Sequence, residues 1–389
     1  PVPCSQYAVT PSTGSHSSMR TASLFVSLTC LSIAHALGAP HLAGFARCGM
    51  SALAQPQPPQ PIPVKVVIVT TFEVGADTGD KPGEFQYWVE REHLDRVLPF
   101  PGGVHDLRTN ADGSILGIVT GMTIGPAASS IMALGLDPRF DLTHAYWLLA
   151  GIAGVDPNVA SVGSAAWAKW IVTDIRQEMD PREAPSDWPY GVFAIGSLRA
   201  GEPPDPARTW GTEPRAYALN AALADWAFAL TKNISLQIPA IARPEVAAFR
   251  ATYTGFPNAQ RPPFVLEGDI LASDSYWHGI ILNHWAEDWV RIHTHNQGRF
   301  VMTAMEDSGI AEALTRLDHM HRADFRRFLA LRTASNYSTQ APGHSAAESI
   351  TAPYIGGIPA LESAYRVGSP IVHTLVDHWD QYRDHLPGD

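Results

Sequence analysis

The stretch VKVVIVTTF, Val64 to Phe72, is a continuous run of β-branched and apolar residues broken only by Lys65. It is too short to cross a membrane as a helix, and it has no polar face. Such a run is a strand buried on both sides, which places it inside a parallel or mixed sheet rather than on a sheet with one wet face. Reading outward from it, Phe85–Leu94 has the pattern of a helix and Ser114–Thr120 that of a second strand. Gly121 to Gly125 turns into a helix at about 126–135. Ala145–Ala150 is a third strand, ending at Gly151-Ile152-Ala153-Gly154, and Ala166–Ile175 is a fourth. A Pro-rich excursion covers 181–215. Helices are expected at Ala216–Thr231 and Arg243–Tyr253. Phe264–Leu271 is strand-like and runs into Ala272-Ser273-Asp274-Ser275-Tyr276-Trp277. Phe300–Ala304 is a strand opening a helix at Met305–Leu317, Phe328–Arg332 a strand ending in Thr333-Ala334-Ser335-Asn336, and Leu361–Tyr382 a long helix. Strands alternating with helices define one α/β domain, a mixed central sheet with helices on both faces in three layers.

The 389 residues carry 38 acidic and 27 basic side chains. Residues 1–62 hold only two of the charges, Arg20 and Arg47, so the remainder has a formal charge of −13. Such a surface repels nucleic-acid phosphates and excludes polymer binding by charge. Met19-Arg20, the apolar Thr21–Leu37 and the small-x-small sites Ala34-His35-Ala36 and Ala52-Leu53-Ala54 form the pattern of a secretory leader over 1–54. Export to the periplasm or the outside is therefore expected, with Met19 as an alternative start. Residues 55–63 are a Pro/Gln-rich spacer, and the domain proper covers 64–389. Cys4, Cys30 and Cys48 all lie in the leader, so a cleaved chain has no nucleophilic Cys and no Cys-ligated metal. Beyond residue 63 no apolar run is long enough for a membrane-spanning helix.

Several polar residues fall at strand carboxyl ends, where open α/β sheets place their sites. Glu73 directly follows the first strand and suits a general base on water, or equally a solvated loop acid. Met305-Glu306 opens a helix, where a Glu can accept two ribose hydroxyls or simply favour the helix dipole. Ser335-Asn336 offers an amide donor and acceptor for the N7 and O6 edge of a 6-oxopurine, or a turn. Tyr276 and Trp277 can stack on a base or pack in the core. Gly151, Ile152, Ala153 and Ser275 are candidate neighbours of the site, with Asp274 and Asp307 weaker ones. His293-x-His295 and His319-x-His321 lack a third ligand at zinc spacing, so neither a metal nor a cofactor is expected. Walker, Rossmann and serine-hydrolase signatures are missing.

Taken in order, VVIVTTFE ending at Glu73, LAGIAG at 149–154, ASDSYWHG at 272–279, TAMEDSGIAEAL at 303–314 and LRTASN at 331–336 resemble the purine nucleoside permease family. More distantly they resemble the nucleoside phosphorylase and nucleosidase superfamily. The resemblance covers nearly all of the chain from Val64 onward and implies a nucleoside-phosphorylase-like fold. It implies that Glu73 activates water, that Met305 and Glu306 hold the ribose, that Asn336 meets the base at N7, and that Tyr276 or Trp277 stacks on it. Asn336, where many members have Asp, implies guanosine or inosine over adenosine. Leu149 and Ile152 stand where phosphorylases keep an Arg and a Ser, and neither can balance a phosphate dianion. Hydrolysis of the N-glycosidic bond is thus expected, with a raised pKa on a Glu73 buried near Glu306. The alternatives are a non-catalytic nucleoside-binding component of transport, a phosphorylase, and a metal hydrolase built on the histidine pairs. Assembly into a homo-oligomer is implied by the superfamily alone.

Overall fold

The computed structural model describes residues 60–209 and 215–388. The leader and its cysteines, and the spacer up to residue 59, lie outside the described residues. Residues 62–63, at the end of that spacer, belong to the fold. Ile62–Pro63 pairs in parallel with Phe140–Asp141, and the Ile62 N–H donates to the Arg139 carbonyl at 2.8 Å.

The central sheet is built from β1 (Val66–Thr70), β2 (Ile115–Val119), β3 (Tyr146–Val155), β4 (Ala165–Trp167), β5 (Trp170–Thr173), β6 (Val265–Glu267), β7 (Asp269–Ala272), β8 (Phe300–Ala304) and β9 (Phe328–Tyr337). Strand β3 is the hub. It pairs in parallel with β1 and β9 and, at its end, antiparallel with β8. From β9 the sheet continues through β4 to β6, and from β8 through β7 to β5. Both branches rejoin at Gly268, whose N–H donates to the Trp167 carbonyl, so the sheet closes partly on itself. The mixed sheet expected from the sequence is therefore present.

The helices that position the site are α1 (Gln86–Arg91), α2 (Ile124–Gly135), α3 (Ala221–Thr231), α4 (Arg243–Ala251), α5 (Ile280–His293), α6 (Asp307–His319) and α7 (Gly357–Asp377). Because side chains alternate along a strand, β1 feeds both faces. Val67 and Val69 pack with Ile131 and Leu134 of α2 and Ile310 and Leu314 of α6. Val66 and Ile68 pack with Trp88 of α1 and Val367 and Ile371 of α7. Each such buried aliphatic side chain contributes about 1.5–3 kcal/mol of transfer free energy, which is why the opening run has no polar face.

Several boundaries differ from the sequence reading. The expected strand over 166–175 is two strands, β4 and β5. The expected helix over 216–231 is a short strand, Ala216–Ala218, capped into α3 by the Asn220 side chain. The C-terminal helix starts at Gly357 and breaks after Asp377. Strand β3 also runs through Gly151 and Gly154 instead of ending there. These glycines are required by close approach. A Cβ at Gly151 would collide with Arg332 Nη1 and lie 2.7 Å from Glu84 Oε1, and one at Gly154 would lie 3.0 Å from Thr303. Among the described residues no helix is long and apolar enough to cross a membrane.

Candidate functional site

A cavity of about 390 Å³ opens at the carboxyl ends of β1, β3, β8 and β9. Of the residues singled out from sequence, Ile152, Ala153, Tyr276, Met305, Glu306, Ser335 and Asn336 line it together.

Its floor is a buried charge cluster. Arg332, on β9 and fully buried, donates from Nη2 to Glu306 Oε2 at 2.8 Å and to Asp307 Oδ2 at 2.7 Å. Its Nε reaches Asp307 Oδ1 at 3.0 Å, and its Nη1 reaches the Ile152 carbonyl at 3.0 Å and lies 3.8 Å from Glu84 Oε1. One guanidinium thus faces three carboxylates, those of Glu84, Glu306 and Asp307. The excess negative charge in a dry site favours holding a proton. Burial, only partly offset by Arg332 and augmented by Glu306, pushes Glu84 up to about 7. Glu306 is raised too, by burial first, against the lowering effect of Arg332.

Glu84 is held rigidly. Its Oε2 accepts the Thr71 N–H at 2.6 Å and the Thr71 hydroxyl at 2.8 Å, and its Oε1 accepts the Ile152 N–H at 2.6 Å. Glu306 sits at the N-cap of α6, accepts the Met305 N–H at 3.2 Å and faces the Thr123 N–H at 3.4 Å. Thr123 has φ of 77°, an uncommon conformation for a β-branched residue. It turns the start of α2 toward the cavity.

The opposite end is aromatic and amide. Opposite Ala153 and Gly154, β9 carries an extra residue, because the register shifts between Ala334 and Asn336. A bulge re-aims the side chains beside it, and both Ser335 and Asn336 line the cavity. The Ser335 hydroxyl donates to Asn336 Oδ1 at 2.9 Å, and Asn336 Nδ2 donates to the Tyr276 hydroxyl at 3.2 Å. The chain was expected to leave the strand at Thr333. The bulge keeps it in the sheet and still delivers Asn336.

Four singled-out residues lie elsewhere. Glu73 does not line the cavity. Its Oε1 accepts the N–H groups of Val74, at 2.8 Å, and of Gly83, and its Oε2 accepts those of Phe85 and Gln86 at 2.8 and 2.6 Å. Four backbone donors occupy the carboxylate, which ties loop 73–85 to the start of α1. The expectation that Glu73 faces a reacting water is corrected accordingly, and the carboxylates at the cavity are Glu84 and Glu306. Trp277 is core, packed against Trp285 at 5.6 Å and Phe300 at 6.1 Å. Ser275 is exposed outside the cavity, its N–H on Ser273 Oγ at 3.1 Å. Gly151 lies behind the wall, against Arg332 and Glu84. The weaker candidate Asp274 accepts the Ile124 N–H at 2.8 Å and so caps α2.

The sequence reading misses Glu84, Arg332, Lys81 and Tyr354. Only Arg332 gave a usable signal: an arginine inside an otherwise apolar strand must find anions. Among the described residues no three His, Cys, Asp or Glu side chains converge as metal ligands.

A mixed α/β sheet thus carries a pocket with a carboxylate–guanidinium floor and a tyrosine–amide roof. The model of the purine nucleoside permease family matches residues 63–387. A purine nucleoside permease of Candida albicans is 32% identical over 322 residues, 82% of this chain and 76% of the relative. A probable purine nucleoside permease of Schizosaccharomyces pombe is 28% identical over 297 residues, 74% of this chain and 82% of the relative. This chain belongs to the purine nucleoside permease family. Among solved structures it is similar to a 5'-methylthioadenosine/S-adenosylhomocysteine nucleosidase of Neisseria meningitidis, at 14% identity, 79% and 99% coverage and a TM-score of 0.43. It is also similar to futalosine hydrolase of Helicobacter pylori, at 14% identity, 81% and 97% coverage and a TM-score of 0.46. At that distance the overlaps place no residue of this chain.

Proposed function

We propose that this protein binds a purine nucleoside in the 390 Å³ cavity and hydrolyses its N-glycosidic bond. The observation that carries the reading is the pairing, in one cavity, of a buried Glu84 brought to about 7 with an amide and a tyrosine at the other end. A base with a pKa near the working pH is both available and strong enough to take a proton.

In this reading the purine lies against Tyr276, with its N7 and C6 edge on Asn336. Glu306 accepts hydrogen bonds from the ribose hydroxyls. Water attacks the anomeric carbon and gives its proton to Glu84. The carbon–nitrogen bond breaks, and its electron pair leaves with the purine. Asn336 turns the Nδ2 hydrogen that it gives to the Tyr276 hydroxyl onto the departing base but has no proton to give up, so the base takes its proton from solvent. This suits 6-oxopurines, whose anions are the better leaving groups, and places guanosine and inosine ahead of adenosine. The leader pattern supports export of the mature domain, and dimers or larger homo-oligomers are part of the same proposal.

Phosphorolysis needs a cationic cradle. Ile152 is on the cavity wall and Leu149 is fully buried in the core. Arg332 is consumed by carboxylates, and Lys81, an exposed residue, is the only cation among the described residues lining the cavity. Purified protein incubated with guanosine, inosine or adenosine, with and without phosphate, decides the matter by chromatography of free base and sugar. Base plus ribose without phosphate is expected. No base under any condition refutes catalysis, and ribose 1-phosphate formed only with phosphate refutes hydrolysis.

The names of the relatives favour a second reading, a nucleoside-binding component that serves transport. It predicts tight nucleoside binding, unchanged in Glu84→Gln, with no base released by the wild type.

A further inference from the structure

A second cavity of about 190 Å³ adjoins the first and shares Tyr276, Asn336 and Tyr354 with it. The two tyrosine rings stand at the junction, 6.1 Å apart and inclined at 52°, and both are substantially exposed, at 42% and 50%. Past them the annex is walled by Phe249, Tyr253 and Tyr337, whose rings pack on one another edge-on or tilted. A cavity of about 150 Å³ already suffices to take up benzene, so the annex has room for an aromatic ring.

Thr252, His344, Glu348 and Ser349 line the open side of the annex, and one buried polar side chain borders its aromatic walls. His278 is only 9% exposed and lines the annex, and neither of its ring nitrogens has a hydrogen-bond partner. Burial lowers its pKa and outweighs the nearby Tyr337 carbonyl, so the ring is neutral. A neutral imidazole keeps one donor and one acceptor; the Tyr337 backbone engages at most the donor, and an acceptor left unused in a buried place is costly. The pairing of aromatic walls with one unsatisfied neutral histidine is the recognition pattern of an apolar ring bearing a hydroxyl.

We infer that the annex receives a substituent carried on C6 of the purine, so that beside the unsubstituted 6-oxopurine ribosides the site takes purine ribosides with a benzyl-sized, hydroxylated group on the exocyclic atom. This rests on the nucleoside reading above. That reading puts the N7 and C6 edge of the base on Asn336, and Asn336 and Tyr276 form the boundary with the annex. A group projecting from C6 therefore passes between Tyr276 and Tyr354, its ring against Phe249 and Tyr253 and its hydroxyl on His278.

Calorimetric titration with four ligands tests the inference: inosine, adenosine, N6-benzyladenosine and N6-(4-hydroxybenzyl)adenosine. The benzyl compound is expected to bind at least tenfold tighter than adenosine, and the hydroxyl to add a further several-fold gain. Ala352→Trp plugs the annex at its exposed rim, away from the main cavity. It should abolish the benzyl gain and leave adenosine within twofold. His278→Phe should erase the hydroxyl's gain alone. If adenosine or inosine binds and the benzyl compound binds no tighter, the annex inference is wrong and the nucleoside reading stands. If all four fail to bind, the nucleoside reading itself fails. The wild-type series decides both points even where a variant does not fold.

Discussion

Glu73 and Glu84 are the same side chain, eleven positions apart on one loop, and the fold gives them opposite tasks. Glu73 is wrapped by four backbone N–H groups and holds the loop to α1. Glu84 is buried beside Arg332, Glu306 and Asp307 and holds a proton up to about 7. At Glu84, burial and the neighbouring Glu306 favour the neutral form and outweigh Arg332 and the Thr71 and Ile152 N–H groups, which favour the charged one. The lesson is that position after a strand does not identify a base. The balance of donors and desolvation does.

The sharpest way to break this comparison is Glu84→Gln. Base release should fall about 10³-fold, within the range a positioned general base supplies. In the same protein stability should gain as the pH rises above 4.5, because the folded state holds Glu84 protonated up to about 7 while the unfolded chain releases that proton near the ordinary glutamate value of 4.5. A raised carboxylate pKa costs nothing below about 4.5, and the cost grows until the pH passes about 7. The effect of the substitution at pH 8 should therefore be more stabilising than its effect at pH 4 by about 3 kcal/mol, whatever the Thr71 or Ile152 donor loses to the amide nitrogen at both. Urea unfolding at both pH values measures it, and equal effects at the two would contradict the buried-proton account. For the wild type, kcat/KM should climb through pH 7 and level off above it. A flat profile from pH 5 to 9 would remove Glu84 from the role.

The second largest effect is expected at Glu73. Glu73→Ala leaves buried or half-buried N–H groups unpaired, at about 1–3 kcal/mol of stability. Its kcat should change far less than that of Glu84→Gln once the protein is folded, and the reverse order would exchange the two assignments. Asn336→Ala should cost about tenfold in kcat/KM, one hydrogen bond to a charge-bearing base, measured with inosine. Smallest of all, Ser275→Ala should stay within about 0.5 kcal/mol in stability and be silent in turnover, because its side chain is exposed outside the cavity.

The same contrast explains what could be read from the chain. Strand positions were legible wherever β-branched residues run together, as in β1 and β2, and so was the end of β8 that carries Glu306. Trp277 was not separable from Tyr276, since adjacent residues at a strand end take opposite sides and sequence does not tell which side is wet. Gly151 and Gly154 looked like strand terminators, yet they stay in β3 because Arg332, Glu84 and Thr303 press against them. Glu84 left no local trace. It precedes an ordinary short helix, and only the folding back of loop 73–85 brings it to Thr71 and Ile152. Helix α5, unassigned from sequence, carries Trp285 and Trp289 four positions apart on its buried face.

The Arg332 cluster has a consequence for binding as well as for turnover. Three carboxylates share one cation in a place that water reaches poorly. A nucleoside that seals the cavity removes what solvation Glu84 still has, so its affinity for a proton must rise as the ligand enters. Near neutral pH an uncharged molecule should therefore draw a fraction of a proton from the medium on binding. The heat of binding would then change with the ionisation enthalpy of the buffer, and the protein would act as a coupled receptor for a nucleoside and for H⁺.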